Sequence, residues 1–121
     1  METRRDDLQE LVGRYAEAWN SHDIDSIMKL HTADTQYQAH GRTDLVTGQE
    51  AVAAAFRRDL DLLPDVHFDL VSLHGGRDHV VFQSRITGTL SGSPYVADGI
   101  DLLIVRDGLV HAKHTYLGVS K

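Results

Sequence analysis

Three turn signals in the second half of the chain fix most of what it can fold into. Gly75-Gly76-Arg77-Asp78, Ser91-Gly92-Ser93-Pro94 and Arg106-Asp107-Gly108 separate four runs, Val66 to His74, His79 to Leu90, Tyr95 to Val105 and Val110 to Leu117. The runs alternate apolar and polar residues or are apolar throughout, as strands do. Asp-Gly between two apolar runs is a hairpin signature, because both central residues of the tight turn need positive φ. Consecutive hairpins pair antiparallel. In the first run Val66, Phe68 and Leu70 share a face, and in the second Val80, Phe82 and Ile86 do.

The first half reads as helices. From about Thr3 to Asn20, Leu8, Leu11, Val12, Tyr15 and Trp19 recur at helical spacing, with Thr3 and Asp6 as a start signal. Asn20-Ser21-His22-Asp23 breaks the pattern. A short helix with Ile24, Ile27, Met28 and Leu30 on its inner side follows, then a strand over Thr35 to His40 and a loop over Gly41 to Val46. Thr47-Gly48-Gln49-Glu50 matches a capping box, which opens a third helix with Val52, Phe56, Leu60 and Leu63 inside and Pro64 as its stop. The expectation is α+β: three N-terminal helices packed on a strongly curved, mostly antiparallel sheet around a ligand pocket.

The 121 residues fit one domain, 1–121. Without cysteine there is no disulfide or thiolate chemistry. A formal charge of −6 disfavours nucleic acid, and Arg4–Arg5 and Arg57–Arg58 are isolated basic pairs. The N-terminal stretch lacks the apolar run of a signal peptide and no segment has the length to span a bilayer, so the expected location is cytoplasmic, with no membrane partner. Ile100 to Val105 is apolar on both faces apart from Asp101. Helices account for one cover, and a second subunit for the other, so a homodimer is expected.

Three stretches resemble the nuclear transport factor 2-like superfamily, which includes ketosteroid isomerase, the SnoaL-like polyketide cyclases and limonene epoxide hydrolase. They are Tyr15-Ala16-Glu17-Ala18-Trp19-Asn20-Ser21-His22-Asp23-Ile24-Asp25, Thr47-Gly48-Gln49-Glu50-Ala51-Val52, and Asp101 through Val110. The likeness covers nearly the whole chain. It implies that the α+β fold is a cone-shaped α+β barrel with a pocket for a small, mostly apolar molecule carrying one or two oxygens, of polyketide, terpenoid or steroid type, with no cofactor. It places Tyr15 where ketosteroid isomerases carry the oxyanion-hole tyrosine and Asp101 where they carry the neutral aspartic acid of that hole. Their general-base position falls on Ala39.

Asp101 is the sharpest candidate, because an ionisable group in an apolar strand is costly unless paired, hydrogen-bonded or protonated. It is read as acid/base or donor, the alternative being an ion pair with Arg85 or Lys113. Tyr15 is read as a catalytic donor or a core phenol, and His40 and His114 as groups able to titrate near neutrality. Trp19, Tyr37, Phe56, Phe82 and Leu103 are read as pocket walls, with His114 as a further ligand contact. Asp23, Asp25, Asp59 and Asp61 are read as solvated. His111 and His114 are three apart on a strand and no His-Glu-x-x-His run exists, so no metal site is expected. Three functions remain: proton-transfer isomerisation or cyclisation with Asp101 and Tyr15, a non-catalytic binding or dimerisation module, and epoxide hydration around Asp101 and Arg85 with Asp69 or Asp98 as second carboxylate.

Overall fold

The computed structural model describes residues 5–119. Helix α1 spans Arg5–Asn20, α2 Ile24–Met28 and α3 Gln49–Leu62. The strands are β1 His31–Ala39, β2 Val46–Thr47, β3 His67–Gly75, β4 His79–Leu90, β5 Ser93–Arg106 and β6 Leu109–Val119. They form one six-stranded sheet in the order β2-β1-β6-β5-β4-β3. All neighbours are antiparallel except β1 and β6, which run parallel. The sheet ends at β2 and β3, so the expected cone is an open one and not a closed barrel.

The hairpins form where the turn residues required. Ser91 and Gly92 have φ of 51° and 82°, and Asp107 and Gly108 have 55° and 77°, the paired positive φ of a two-residue hairpin turn. The apolar stripes of α1 and α3 meet the inner face of the sheet in one core that includes Leu8, Leu11, Val12, Val52, Phe56, Val80 and Leu103. The end of α1 is tied to the edge strand. Asn20 donates to the Phe68 carbonyl at 3.0 Å and accepts from its N–H at 2.8 Å, and the His22 ring donates to the Val66 carbonyl at 2.6 Å.

Three local expectations change, and the start signal at Thr3 lies outside the described residues. The first strand begins at His31 rather than Thr35, because Val110 N–H bonds to Leu30 O and draws the chain onto β6 early. Thr47 does not cap α3; it pairs with Gln36 in β2, and the helix starts after Gly48 (φ 96°) with no side-chain cap. Gln49 instead fastens this corner, its amide reaching the carbonyls of Met28, His31 and Thr32 at 3.3, 3.2 and 2.9 Å. Leu70 is 45% exposed, since a bulge between Leu70 and Ser72 turns the edge strand and Leu73 packs on the core in its place.

Candidate active site

Register places the interior side chains in rows. Residues paired across strands share a face, so Phe82, Asp101, Thr115 and Ala39 form one row across β4, β5, β6 and β1. Val80, Leu103, Lys113 and Tyr37 form the next. Asp101 and Lys113 therefore lie diagonally on the inner face of adjacent strands, and each is 7% exposed. Both open onto a cavity of about 480 Å³. Its walls are largely apolar, with Leu60, Leu63, Val66, Phe68, Ile86 and Tyr95 among them. Arg42 and Leu62 line it too; the Arg42 side chain is 44% exposed and Leu62 55%, which marks the opening.

Polar side chains reach this space from several elements. Thr115 Oγ1 donates to Asp101 Oδ1 at 2.5 Å, leaving the other carboxyl oxygen for a ligand. Tyr37 donates to Asp59 Oδ2 at 2.9 Å, and Arg42 pairs with Asp59 Oδ1 at 3.3 Å. Asp59 thus lines the cavity instead of a solvated helix face. Burial and the neighbouring Asp59 carboxylate push the Tyr37 phenol up, so it stays protonated and donates.

Lys113 was seen in the sequence only as a partner for Asp101. Its Nζ lies 4.2 Å from the centroid of the Trp19 ring, 5.0 Å from Tyr15, 5.3 Å from Phe56 and 5.9 Å from Tyr37. Such faces attract a cation. No carboxylate among the described residues comes within 4.0 Å of it. Burial pulls its pKa below the ordinary lysine value, with Asp101 and Asp59 acting in the opposite direction.

The other candidates fall into place around this centre. Trp19 and Tyr37 line the cavity. Phe56, Phe82 and Leu103 are buried at 0, 6 and 0% exposure as core behind its wall. Tyr15 is also off the wall. Its hydroxyl meets His31 Nε2 at 2.9 Å, His31 Nδ1 meets Thr35 Oγ1 at 2.8 Å, and Thr35 donates to the Val110 carbonyl at 3.4 Å. Since Thr35 spends its proton on Val110, His31 donates from Nδ1 and Tyr15 donates to Nε2. Burial, aided by the Lys113 charge, lowers the His31 pKa to about 3, which keeps the ring neutral, and burial raises the Tyr15 phenol.

His40 stands at the rim, its ring stacked on Tyr116 at 4.3 Å and bonded to His114 at 2.8 Å. His114 lies across from Gln38 and Leu102, on the outer face. Burial and the His40 ring lower its pKa. Arg85 pairs with Asp98 at 3.6 Å on exposed side chains, and Asp69 with His67, so the carboxylate–arginine set drawn for epoxide hydration does not assemble around Asp101. Among the described residues no three His, Asp or Glu converge as a metal group, and no helix is long and apolar enough to cross a membrane.

A SnoaL-like domain profile matches residues 12–112. Among solved structures, a protein with a ketosteroid isomerase-like fold from Catenulispora acidiphila, in complex with trimethylamine, is 24% identical with a TM-score of 0.81, over 88% of this chain and 84% of that one. A protein described as a SnoaL-like polyketide cyclase from Jannaschia sp. CCS1 is 19% identical with a TM-score of 0.84, covering 95% and 87%. SalBIII, described as an epoxide hydrolase/cyclase-like enzyme of pyran ring formation in salinomycin, is 18% identical with a TM-score of 0.81, covering 91% and 89%. No curated protein matches significantly. With the profile spanning most of its length, the chain belongs to the SnoaL-like domain family, and it shares its fold with these structures.

Proposed function

We propose that the protein is a small-molecule isomerase or cyclase that works by proton transfer at Asp101. The observation that carries this is a buried carboxyl with one free oxygen, set beside a buried ammonium in the wall of an otherwise apolar cavity of about 480 Å³. The volume lies in the range of small-molecule sites. The ligand is a largely apolar molecule of polyketide, terpenoid or steroid type with one or two oxygens. Asp101 moves a proton at the carbon or oxygen beside it, and Thr115 fixes the carboxyl's orientation. Developing charge on a ligand oxygen is met by the Lys113 ammonium. In this reading Tyr15 is a positioning residue. Its hydroxyl is committed to His31, and its ring face helps to hold Lys113.

Exchange of the α-protons of a bound ketone in D₂O, followed by NMR, tests the proposal. Wild-type protein accelerates exchange and Asp101→Asn loses the acceleration while unfolding at a similar temperature; equal losses in both would count against it. A second reading, a non-catalytic binding module, is favoured by Ala39, which supplies no base in the Asp101 row. Tight ligand binding with no proton exchange would select it. A second copy of the chain is the proposed cover for the outer face, where Ile100 and Tyr116 pair across strands at 40% and 48% exposure. Sedimentation equilibrium measures that association.

A further inference from the structure

We propose that Lys113 is a nucleophile that forms a Schiff base with an aldehyde, ketone or 1,3-diketone held in the cavity. The inference deepens the pocket reading above and rests on it. Lys113 springs from the middle of β6 and is 7% exposed, yet its side chain forms part of the cavity wall. Its Nζ has no hydrogen-bond acceptor and no ion-pair partner among the described residues, so no hydrogen bond or ion pair with them has to be broken for it to react. Four aromatic rings hold the end of the side chain within 4.2–5.9 Å of their centroids, which limits the rotamer freedom a mobile lysine would lose on reaction. Burial shifts this amine toward its neutral form, the form with a free electron pair. Asp101, diagonal to it on the same face, is placed to relay protons.

The steps balance without an oxidant or reductant. The Nζ electron pair adds to the carbonyl carbon, the C–N bond forms, and the carbonyl π electrons move to oxygen. Asp101 takes one proton from the nitrogen and gives it to that oxygen, producing a carbinolamine. Water then leaves, taking a second proton delivered from solvent through Asp101, as the nitrogen pair forms the C=N bond. The net change is one carbonyl, one amine and one proton converted to one iminium and one water. With a 1,3-diketone the iminium loses a carbon-bound proton to give an enaminone, stable and absorbing in the near ultraviolet.

The probe is 1-phenyl-1,3-butanedione added to the full chain, with binding followed by Trp19 fluorescence and adducts by mass spectrometry. The expected result is a mass gain of one diketone less one water, mapped to Lys113, with Lys29 and Lys121 as the sequence's own control lysines. Its rate should rise with pH through a midpoint below the ordinary lysine value of 10.5. Lys113→Met, which keeps an unbranched apolar chain, should lose the adduct; its circular dichroism and the wild-type adduct map keep the result readable if the variant is less stable. Borohydride reduction after cinnamaldehyde, in which hydride adds to the iminium carbon, should mark the same residue. Binding of the diketone with no adduct, or adducts spread equally over the three lysines, overturns the inference and leaves the pocket reading standing. No binding at all would overturn both.

Discussion

Two buried polar sets share the interior and behave oppositely. Beneath α1, Tyr15, His31 and Thr35 form a closed relay in which each proton has an acceptor and the chain ends on a backbone carbonyl. In the neighbouring cavity, Asp101 has one partner for two oxygens and Lys113 has none among the described residues. A closed network specifies the fold, because every buried polar atom is satisfied. An open one leaves capacity for something that enters. The two are coupled through Lys113, whose charge helps to keep His31 neutral and whose ammonium lies over the Tyr15 ring.

Changes on the open side should act on chemistry. Asp101→Asn keeps an acceptor for Thr115 and removes the ionisable group, so proton exchange of a bound ketone should fall by about 10²–10⁴-fold. NMR exchange rates give this directly, and a loss under tenfold would erase the contrast.

Changes on the closed side should act on stability. The His31 pKa is about 3 in the fold against an ordinary 6.5. The unfolded chain therefore binds this proton first as pH falls, so stability is full above 6.5 and is lost toward 3. The steepest contribution is about 1.4 kcal/mol per pH unit. Urea denaturation across that window measures it, and His31→Gln should flatten the slope. An unchanged slope would show that the ring is not held neutral by burial.

Tyr15→Phe sharpens the same division. It strips the donor from His31 and should cost about 1–3 kcal/mol in urea, while ketone exchange stays within a few-fold of wild type. A large loss of exchange at unchanged stability would return Tyr15 to the oxyanion role that its position in the resemblance implied. Smallest is Gly108→Ala, remote from both sets. Gly108 sits at φ 77°. A Cβ there should cost about 1–2 kcal/mol, with neither ketone exchange nor the pH slope altered.

The expectation for the last strand shows where reading by periodicity stops. Strict alternation from Val110 would carry Ala112, His114 and Tyr116 onto one face. In the structure Val110 pairs with Val105, but Ala112 pairs with Ile104, so one residue, His111, is extra. Such a bulge exchanges the faces of everything beyond it. Lys113 and Thr115 thus turn inward and His114 outward. Asp59 escaped for a related reason. On the α3 pattern it borders the apolar stripe, and only the approach of Tyr37 and Arg42 makes it part of the cavity.

The amino-acid order by itself determined the helices, the hairpins and the family likeness, and it turned Asp101 inward. Those features depend on local periodicity and on turn residues that tolerate positive φ, both written in neighbouring positions. The tertiary structure decided that Tyr15 serves His31, that Arg85 leaves Asp101 for Asp98, and that Lys113 is the cation of the cavity. These are pairings across strands and between helix and sheet. A one-residue shift in register reverses them, and nothing near any of these residues in the chain records that shift.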